Sequence, residues 1–187
     1  PRRPKGKFMS ALNEFLETSY TAYHAVKNTA EYIIANGFSL LSEGEDWNVE
    51  EGGKYFVTRG GSSLIAFSVG ALDNGLAFRI AASHADSPAL KLKDNAVFAT
   101  GAYEKLNAEC YGGGIWYSFF DRPLKIAGRI VESEKGVLRS RVVESDYFVT
   151  IPSVAVHQNR GVNEGFAVNA QTDLCPLYSL ARQGGDL

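Results

Sequence analysis

A run of small and apolar residues leads into a polar turn at Leu76-Ala77-Phe78-Arg79-Ile80-Ala81-Ala82-Ser83-His84-Ala85-Asp86-Ser87-Pro88. The run from Leu76 to Ala82 predicts a β-strand, and His84 follows the carboxyl end of that strand. Ligand sites in open α/β sheets favour the carboxyl ends of strands. Because Asp86 stands two residues after His84, one imidazole nitrogen can bind a metal while the carboxylate accepts a hydrogen bond from the other nitrogen.

The segment Ser83–Pro88 also fits a second interpretation. A short polar turn can cap a strand, with the carboxylate of Asp86 hydrogen-bonded to the backbone. Short motifs of one His and one Asp arise often by chance, so the spacing alone favours the turn over a metal ligand.

Two helices are predicted on the amino-terminal side of this stretch. Apolar residues from Phe8 to Leu16 recur one, three and four positions apart, which places them in one stripe on a helix. A second helix is expected to begin near Thr21, where hydroxyl side chains can cap it, and to end at Gly37. Its Tyr23 and His24 lie near the first turn, and His24 is interpreted as a surface or packing residue.

Strands are predicted in most of the remaining chain. The segments with strand patterns are Tyr55–Arg59, Ser63–Val69, Leu76–Ala82, Ala89–Lys93, Leu124–Glu132, Val137–Glu144 and Tyr147–Ile151. Gly60-Gly61 joins the first two segments and is typical of a hairpin turn. Asp73-Asn74-Gly75 suits another tight turn. The composition shifts near Lys93, which predicts part of an α/β unit in residues 1–93 and a second, β-rich domain in residues 94–187.

Composition and charge limit the classes of protein to which the chain can belong. Of 187 residues, 45% are hydrophobic and 21% are charged, which is typical of a globular protein with a packed core. The 19 basic and 21 acidic residues give a formal charge of −2, so nucleic acid is not an expected partner.

No apolar run approaches the roughly 18 residues of a membrane span, and no signal-peptide core follows the basic start. Cys110 and Cys175 are too few for a disulfide framework, so a reducing cytoplasm is the expected compartment.

Two further features of the sequence are candidate sites. His157 follows the apolar run Val154-Ala155-Val156 and precedes Gln158, Asn159 and Arg160, so it is a strand-end residue that can face solvent or a site. The glycines at 112–114 are not followed by Gly-Lys-Ser or Gly-Lys-Thr, which a phosphate-binding loop would require. Close packing near Trp116 explains these glycines better.

Several segments occur in an order that is typical of one family. They are Phe15-Leu16, Tyr23–Val26, Gly52–Arg59, Ser62–Phe67, Ser83–Pro88, Tyr111–Trp116, Phe120–Leu124, Ala127–Arg129, Ile151–His157 and Asn163–Phe166. The ordered set resembles the M18 metallo-aminopeptidases, the group of aspartyl aminopeptidase and aminopeptidase I, over nearly the whole chain. Each segment alone is a modest signal, but the set is specific, and it favours a metal ligand at His84 over a simple turn.

The resemblance implies a fold and a chemistry. The fold is α/β: residues 1–93 form the amino-terminal part of a zinc-peptidase catalytic domain, with helices and a mixed sheet, and residues 94–187 form an inserted β-rich dimerisation or lid domain. The function is removal of amino-terminal residues, often acidic ones, from peptides at a centre of two Zn²⁺ ions. His84 matches a metal ligand, and Asp86 matches the carboxylate that orients it. His157 matches a histidine that, in some members, reaches the active site of a neighbouring subunit, so Asp86 and His157 are the expected catalytic residues.

The resemblance also implies partners and an incomplete site. Members of the family form homo-oligomers, dimers that assemble into tetrahedral dodecamers, and act on peptides. For this chain, neither a membrane nor a nucleic acid is an expected partner. Their remaining ligands and their general base, a bridging Asp, a Glu-Glu pair, a further Asp and a second His, lie beyond the segment that corresponds to Leu177. Only one ligand is identifiable here, so this chain alone is expected to be inactive. The alternative function is a non-catalytic assembly module that dimerises through its β-rich segment.

Overall fold

The computed structural model describes residues 5–71, 75 and 77–181, with side chains from Ser10 onward. The elements are α1 (Lys5–Thr18), α2 (Ala22–Ile34), β1 (Ser39–Leu40), β2 (Lys54–Arg59), β3 (Ser63–Ser68), β4 (Ala89–Thr100), β5 (Tyr103–Tyr111), a 3-10 helix (Trp116–Phe119), β6 (Leu124–Glu134), β7 (Val137–Val149) and β8 (Leu177–Leu180). The chain divides into two compact units. Unit 1 holds the part up to Asp86 together with Ala127–Val143, and unit 2 holds Ser87–Ile126 and the part from Glu144 onward.

Both predicted helices are present, and the second has clear end signals. Thr21 is the N-cap of α2, and its hydroxyl oxygen accepts a hydrogen bond from the backbone N–H of His24 at 3.4 Å. Gly37 adopts a φ of +84° just after the helix, and its N–H donates to the carbonyl of Ile34 at 3.0 Å. Neither helix in the described residues has the length and the apolar run that crossing a membrane requires.

Unit 1 contains a three-stranded mixed sheet in the order β1-β2-β3. β1 runs parallel to β2, and β3 runs antiparallel to β2 with Tyr55 opposite Phe67. Phe56 and Val57 of β2 are buried, as are Ala25 and Val26 of α2. The predicted hairpin is confirmed: Arg59 pairs with Ser63 across a three-residue loop, in which the two glycines take φ values of +60° and +71° and Ser62 N–H donates to the Arg59 carbonyl at 3.2 Å.

The predicted strand Leu76–Ala82 is wrong over its described part. Residues 77–82 pair with no strand among the described residues, and Phe78 and Ile80 are 78% and 85% exposed. An apolar segment becomes a strand only when a neighbouring backbone satisfies its N–H and C=O groups. Its first residue, Leu76, and Asp73-Asn74 of the preceding turn lie outside the described residues; Gly75 has a φ of +80°.

Unit 2 contains an antiparallel sheet in the order β4-β5-β8. The predicted strand Ala89–Lys93 is confirmed and extends to Thr100, with a register shift between Leu92 and Val97. The sequence did not predict β5 or β8. The buried side chains of this unit are Leu106, Ala108, Val149, Ile151, Leu174 and Cys175.

β6 and β7 form a two-stranded ribbon. Both strands were predicted, and Lys135 and Gly136 make the tight turn between them with φ values of +51° and +81°. The predicted separate strand Tyr147–Ile151 is wrong: its first three residues continue β7, and Ile151 makes an isolated bridge to Phe120. A strand that belongs to a ribbon can continue through polar residues at which the sequence pattern alone suggests that it ends.

Charged pairs join β6 and β7, namely Arg139 with Glu134 and Arg141 with Glu132. Arg141 donates to both oxygens of Glu132 at 3.0 and 3.1 Å, and these hydrogen bonds hold the pKa of Glu132 below its ordinary value. On the part of the ribbon that belongs to unit 1, the Arg129 guanidinium lies 4.8 Å from the ring centroid of Tyr23 and donates to the carbonyl of Gly60 at 3.0 Å. Within unit 1, these contacts join this part of the ribbon to α2 and to the β2–β3 turn.

Candidate metal site at His84

The structure brings His84 and Asp86 together. Nδ1 of His84 lies 2.8 Å from the backbone oxygen of Asp86 and 3.2 Å from its Oδ1. The His84 side chain is 81% exposed. The imidazole therefore stands on the surface of unit 1 and is held by the residue that the sequence predicted as its partner.

This geometry fixes which ring nitrogen can bind a ligand. Two oxygen atoms face Nδ1, so the neutral ring carries its proton there and presents the lone pair of Nε2 outward. Histidine ligands of metals are held in this way, with one nitrogen on an oxygen acceptor and the other on the metal. The donor chemistry of His84 thus fits one zinc ligand.

The rest of a metal site is not assembled in the described residues. Within them, no group of three or more His, Cys, Asp or Glu side chains is arranged to hold a metal ion. Zinc in catalytic sites takes three protein ligands as a rule. His24 is occupied differently, since its Nδ1 lies 2.9 Å from the hydroxyl of Thr21 and its ring meets Tyr20 edge-on at 5.5 Å. It is a packing residue, as the sequence predicts.

His157 lies in unit 2, in a segment of turns after Ile151. Its side chain is exposed, and the backbone around it is held by a hydrogen bond from Gln158 N–H to the carbonyl of Ala155 at 2.8 Å. The assignments of His84 as metal ligand, and of Asp86 and His157 as catalytic residues, stay predictions.

Asp121, which is not among the site residues predicted from the sequence, makes a long-range contact. Its carboxylate accepts hydrogen bonds from the backbone N–H of Ser153 at 2.9 Å and from the Ser153 hydroxyl at 2.6 Å. Its φ of +56° is in the left-handed region, which is rare outside glycine. The two residues are 32 positions apart, so no local pattern points to the contact.

An aromatic cluster borders a cavity in the same unit. The Phe120 ring lies 5.8 Å from the centroids of both Tyr117 and Phe166. The cavity beside these rings has a volume of about 320 Å³, and Lys105 and Asp173 bring charge to its lining. The ring contacts tie Phe166, on the far side of the His157 segment, to the residue next to Asp121.

The Asp121 contact predicts a pH dependence. The hydroxyl and the N–H of Ser153 both donate to the carboxylate, so they hold the pKa of Asp121 below its ordinary value of 3.8. Because the pKa of Asp121 is depressed in the folded state, the contact stabilises unit 2 at pH values above the ordinary pKa of the carboxyl group. This stabilisation is lost as the pH falls through the folded-state pKa. Ser153→Ala should raise the pKa of Asp121 toward 3.8, measured from its carboxyl ¹³C resonance. The pKa of Glu132, which Arg141 sets, should stay unchanged; an Asp121 pKa that also stays unchanged would contradict the assignment.

Comparisons with known proteins agree with this architecture. Residues 15–186 match the family described as aminopeptidase I zinc metalloprotease (M18). The chain is 42% identical over 175 residues to aspartyl aminopeptidase 1 of Schizosaccharomyces pombe, which covers 91% of this chain and 37% of that protein. A chain in the structure of the Ape4 and Nbr1 complex superposes with a TM-score of 0.85 and 42% identity, over 89% of this chain and 33% of that one. The Saccharomyces cerevisiae mApe1 dodecamer gives a TM-score of 0.65 and 26% identity, over 92% and 49%.

The expected α/β fold class is confirmed, and so is the resemblance stated from the sequence. The chain spans about two-fifths of the length of the curated relatives it matches. Since the family match covers almost every residue, the chain belongs to the M18 family of aminopeptidase I zinc metalloproteases.

Proposed function

We propose that this chain is part of a metal-dependent aminopeptidase that removes amino-terminal residues, acidic ones among them, from peptides. The single observation that carries the proposal is the His84–Asp86 pair, in which Nδ1 of an exposed imidazole lies 2.8 and 3.2 Å from two oxygens of one residue. Membership of a zinc metalloprotease family supports zinc as the metal, and the similarity to an aspartyl aminopeptidase supports a preference for acidic residues.

In this proposal, His84 holds one of two zinc ions through Nε2. Bound zinc supplies a Lewis acid that polarises the peptide carbonyl and makes a water more acidic. Asp86 keeps the Nδ1 proton in place and makes Nε2 a better donor. His157 donates a hydrogen bond to the substrate or to the developing oxyanion, in the active site of a neighbouring subunit.

The chain by itself should have no peptidase activity. One imidazole cannot fix the geometry of a two-metal centre, and the general base is not among the residues identified. An assay with peptides that begin with Asp or Glu, with added Zn²⁺, should detect no turnover. As a positive control we define a chimera, in which this chain replaces the segment that it matches in the Schizosaccharomyces pombe relative. Turnover by the purified chain that survives a His84→Ala change would show contamination, whereas turnover abolished by that change would contradict the expected inactivity.

Assembly is the second proposed function, and the exposed side chains of unit 2 favour it. Tyr103, Tyr111, Tyr178 and Leu180 on β4-β5-β8 are 42–71% exposed. Aromatic and apolar side chains of this kind are enriched in the cores of interfaces. The similarity to a dodecameric relative supports a homo-oligomer, and we propose that dimers are its building block. Light scattering should find a dimer or a larger species of this chain, and a monomer at all concentrations would rule out the assembly module.

We propose that the protein is cytoplasmic, because its two cysteines are free thiols. Cys110 and Cys175 are both unpaired, and Cys175 is buried. Free thiols persist in reducing compartments, whereas secreted domains use cysteines in disulfides. Fractionation of the source cells tests the placement.

A further inference from the structure

Asp121 has an unusual backbone conformation that its surroundings must maintain. Among the described residues, only Asp121 and Lys135 have a positive φ without being glycine. Lys135 occupies a tight hairpin turn, which requires that conformation. Asp121 lies between a 3-10 helix and Arg122-Pro123, where no hairpin imposes it. Such conformations persist when contacts over-determine them, and they are concentrated at functional sites.

The contacts of Asp121 all reach one short segment. Its backbone N–H donates to the carbonyl of Ile151 at 2.9 Å, and its two carboxylate oxygens accept the N–H and the hydroxyl of Ser153. Ile151 is 2% exposed and is therefore anchored in the core of unit 2. Asp121 thus extends the fixed part of the chain from Ile151 to Ser153.

The fixed segment leads directly to His157, four residues beyond Ser153. Around His157, the backbone hydrogen bonds within the described part of the chain are local turn contacts, such as Gln158 N–H to the Ala155 carbonyl. On the far side, the Phe166 ring packs edge-on against Phe120. The dipeptide Phe120-Asp121 therefore holds both ends of the loop that carries His157, one by ring packing and one by hydrogen bonds.

We infer that Asp121 is a positioning residue: through its two hydrogen bonds to Ser153 it fixes where the loop with His157 leaves the core, and so where the imidazole lies. The inference rests on the proposed function, in which His157 contacts the substrate. Asp121 itself touches neither the substrate nor a metal in this scheme. A carboxylate is suited to the task because one group accepts two hydrogen bonds in a fixed plane.

The backbone conformation allows the hydrogen bonds to be removed without adding strain. Asp121→Gly keeps the positive φ at no steric cost and deletes both contacts. Asp121→Asn retains the shape, since the amide oxygen can accept the Ser153 N–H and the amide N–H can donate to the hydroxyl. Ser179→Ala is the matched control, because the Ser179 hydroxyl donates to Glu104 within the sheet of the same unit.

The decisive measurement is NMR on the chain itself. In Asp121→Gly, the His157 imidazole resonances should shift and sharpen, and exchange of the Ser153 amide, which loses its acceptor, should quicken roughly 10- to 100-fold, as expected for the loss of a hydrogen bond to a charged group. Exchange of the Gln158 and Asn159 amides, which donate to the Ala155 carbonyl, should quicken in the same direction. His24 and His84 should not move, and Asp121→Asn and Ser179→Ala should resemble the wild type. Ser153→Ala should give a smaller change in the same direction, and it decides the question if the glycine variant does not fold. A His157 signal that is unchanged in Asp121→Gly or Ser153→Ala, whatever the melting temperature does, would overturn the inference.

Kinetics of the chimera separate this inference from the proposed function. Asp121→Gly should lower kcat about tenfold with little change in KM, because misplacing a group that acts in the transition state costs rate more than binding. Asp121→Asn should restore most of the rate. If His157→Ala leaves the rate intact, the proposed role of His157 fails while the NMR result on Asp121 still stands.

Discussion

His84→Ala should abolish peptidase activity in the chimera, with kcat/KM reduced by at least about 10³-fold. The physical reason is that the change removes the proposed zinc ligand, and metal-assisted hydrolysis depends on that coordination. Asp86→Asn keeps an oxygen beside Nδ1 but removes the charge, and should cost about 10- to 100-fold, as changes to the partners of metal ligands do. Activity is measured with a peptide that begins with Asp, and zinc content by atomic absorption.

His24→Gln is the matched control for that experiment. His24 is also in unit 1, but its Nδ1 lies against the Thr21 hydroxyl at the start of α2. Replacement of His24 should leave the reaction rate, the zinc content and the oligomeric state of the chimera unchanged. A His84→Ala chimera that retains full activity would remove His84 from the metal site.

Phe56→Ala should be the most destabilising single change in unit 1, at about 3–5 kcal/mol. Phe56 is 1% exposed at the centre of β2, and removal of a buried aromatic ring loses its burial and leaves a cavity. Ile65→Ala, on the facing strand but 67% exposed, should cost no more than about 1 kcal/mol.

The two tryptophans allow the loss of stability in the Phe56→Ala variant to be assigned to unit 1. Trp47 stacks with Phe67 of β3 at 6.1 Å, whereas Trp116 lies in unit 2. In a Trp116→Phe background, urea unfolding followed by Trp47 fluorescence reports on unit 1. Equal midpoints for the Phe56→Ala and Ile65→Ala variants would contradict the described core.

Local features of this fold were predictable from the sequence. The sequence predicts that α2 begins at Thr21 and ends at Gly37. It also predicts a turn at Gly60-Gly61, between two apolar segments. These signals act within a few residues, and the structure places the elements where the signals predict.

Long-range features could not be predicted in the same way. The run from Ala77 to Ala82 has strand composition but no strand beside it in the described residues, and pairing decides whether a strand forms. β5 and β8 have weak patterns of their own and form by pairing with a neighbour, Tyr103 opposite Leu180.

The candidate site shows the same division. His84 and Asp86 are two residues apart, and their contact follows from that spacing. The Asp121–Ser153 contact joins positions 32 apart and depends on the bridge between Phe120 and Ile151, which only the folded chain reveals. The two compact units have other boundaries than the predicted domains, residues 1–93 and 94–187, and the domain assignment stays a prediction.

The most direct test of the account is zinc-edge anomalous diffraction from crystals of the chimera. We expect a zinc peak at about 2.0–2.1 Å from Nε2 of His84, with Nδ1 still against Asp86. A zinc ion bound elsewhere, or coordinated through Nδ1 with Asp86 displaced, would contradict the account.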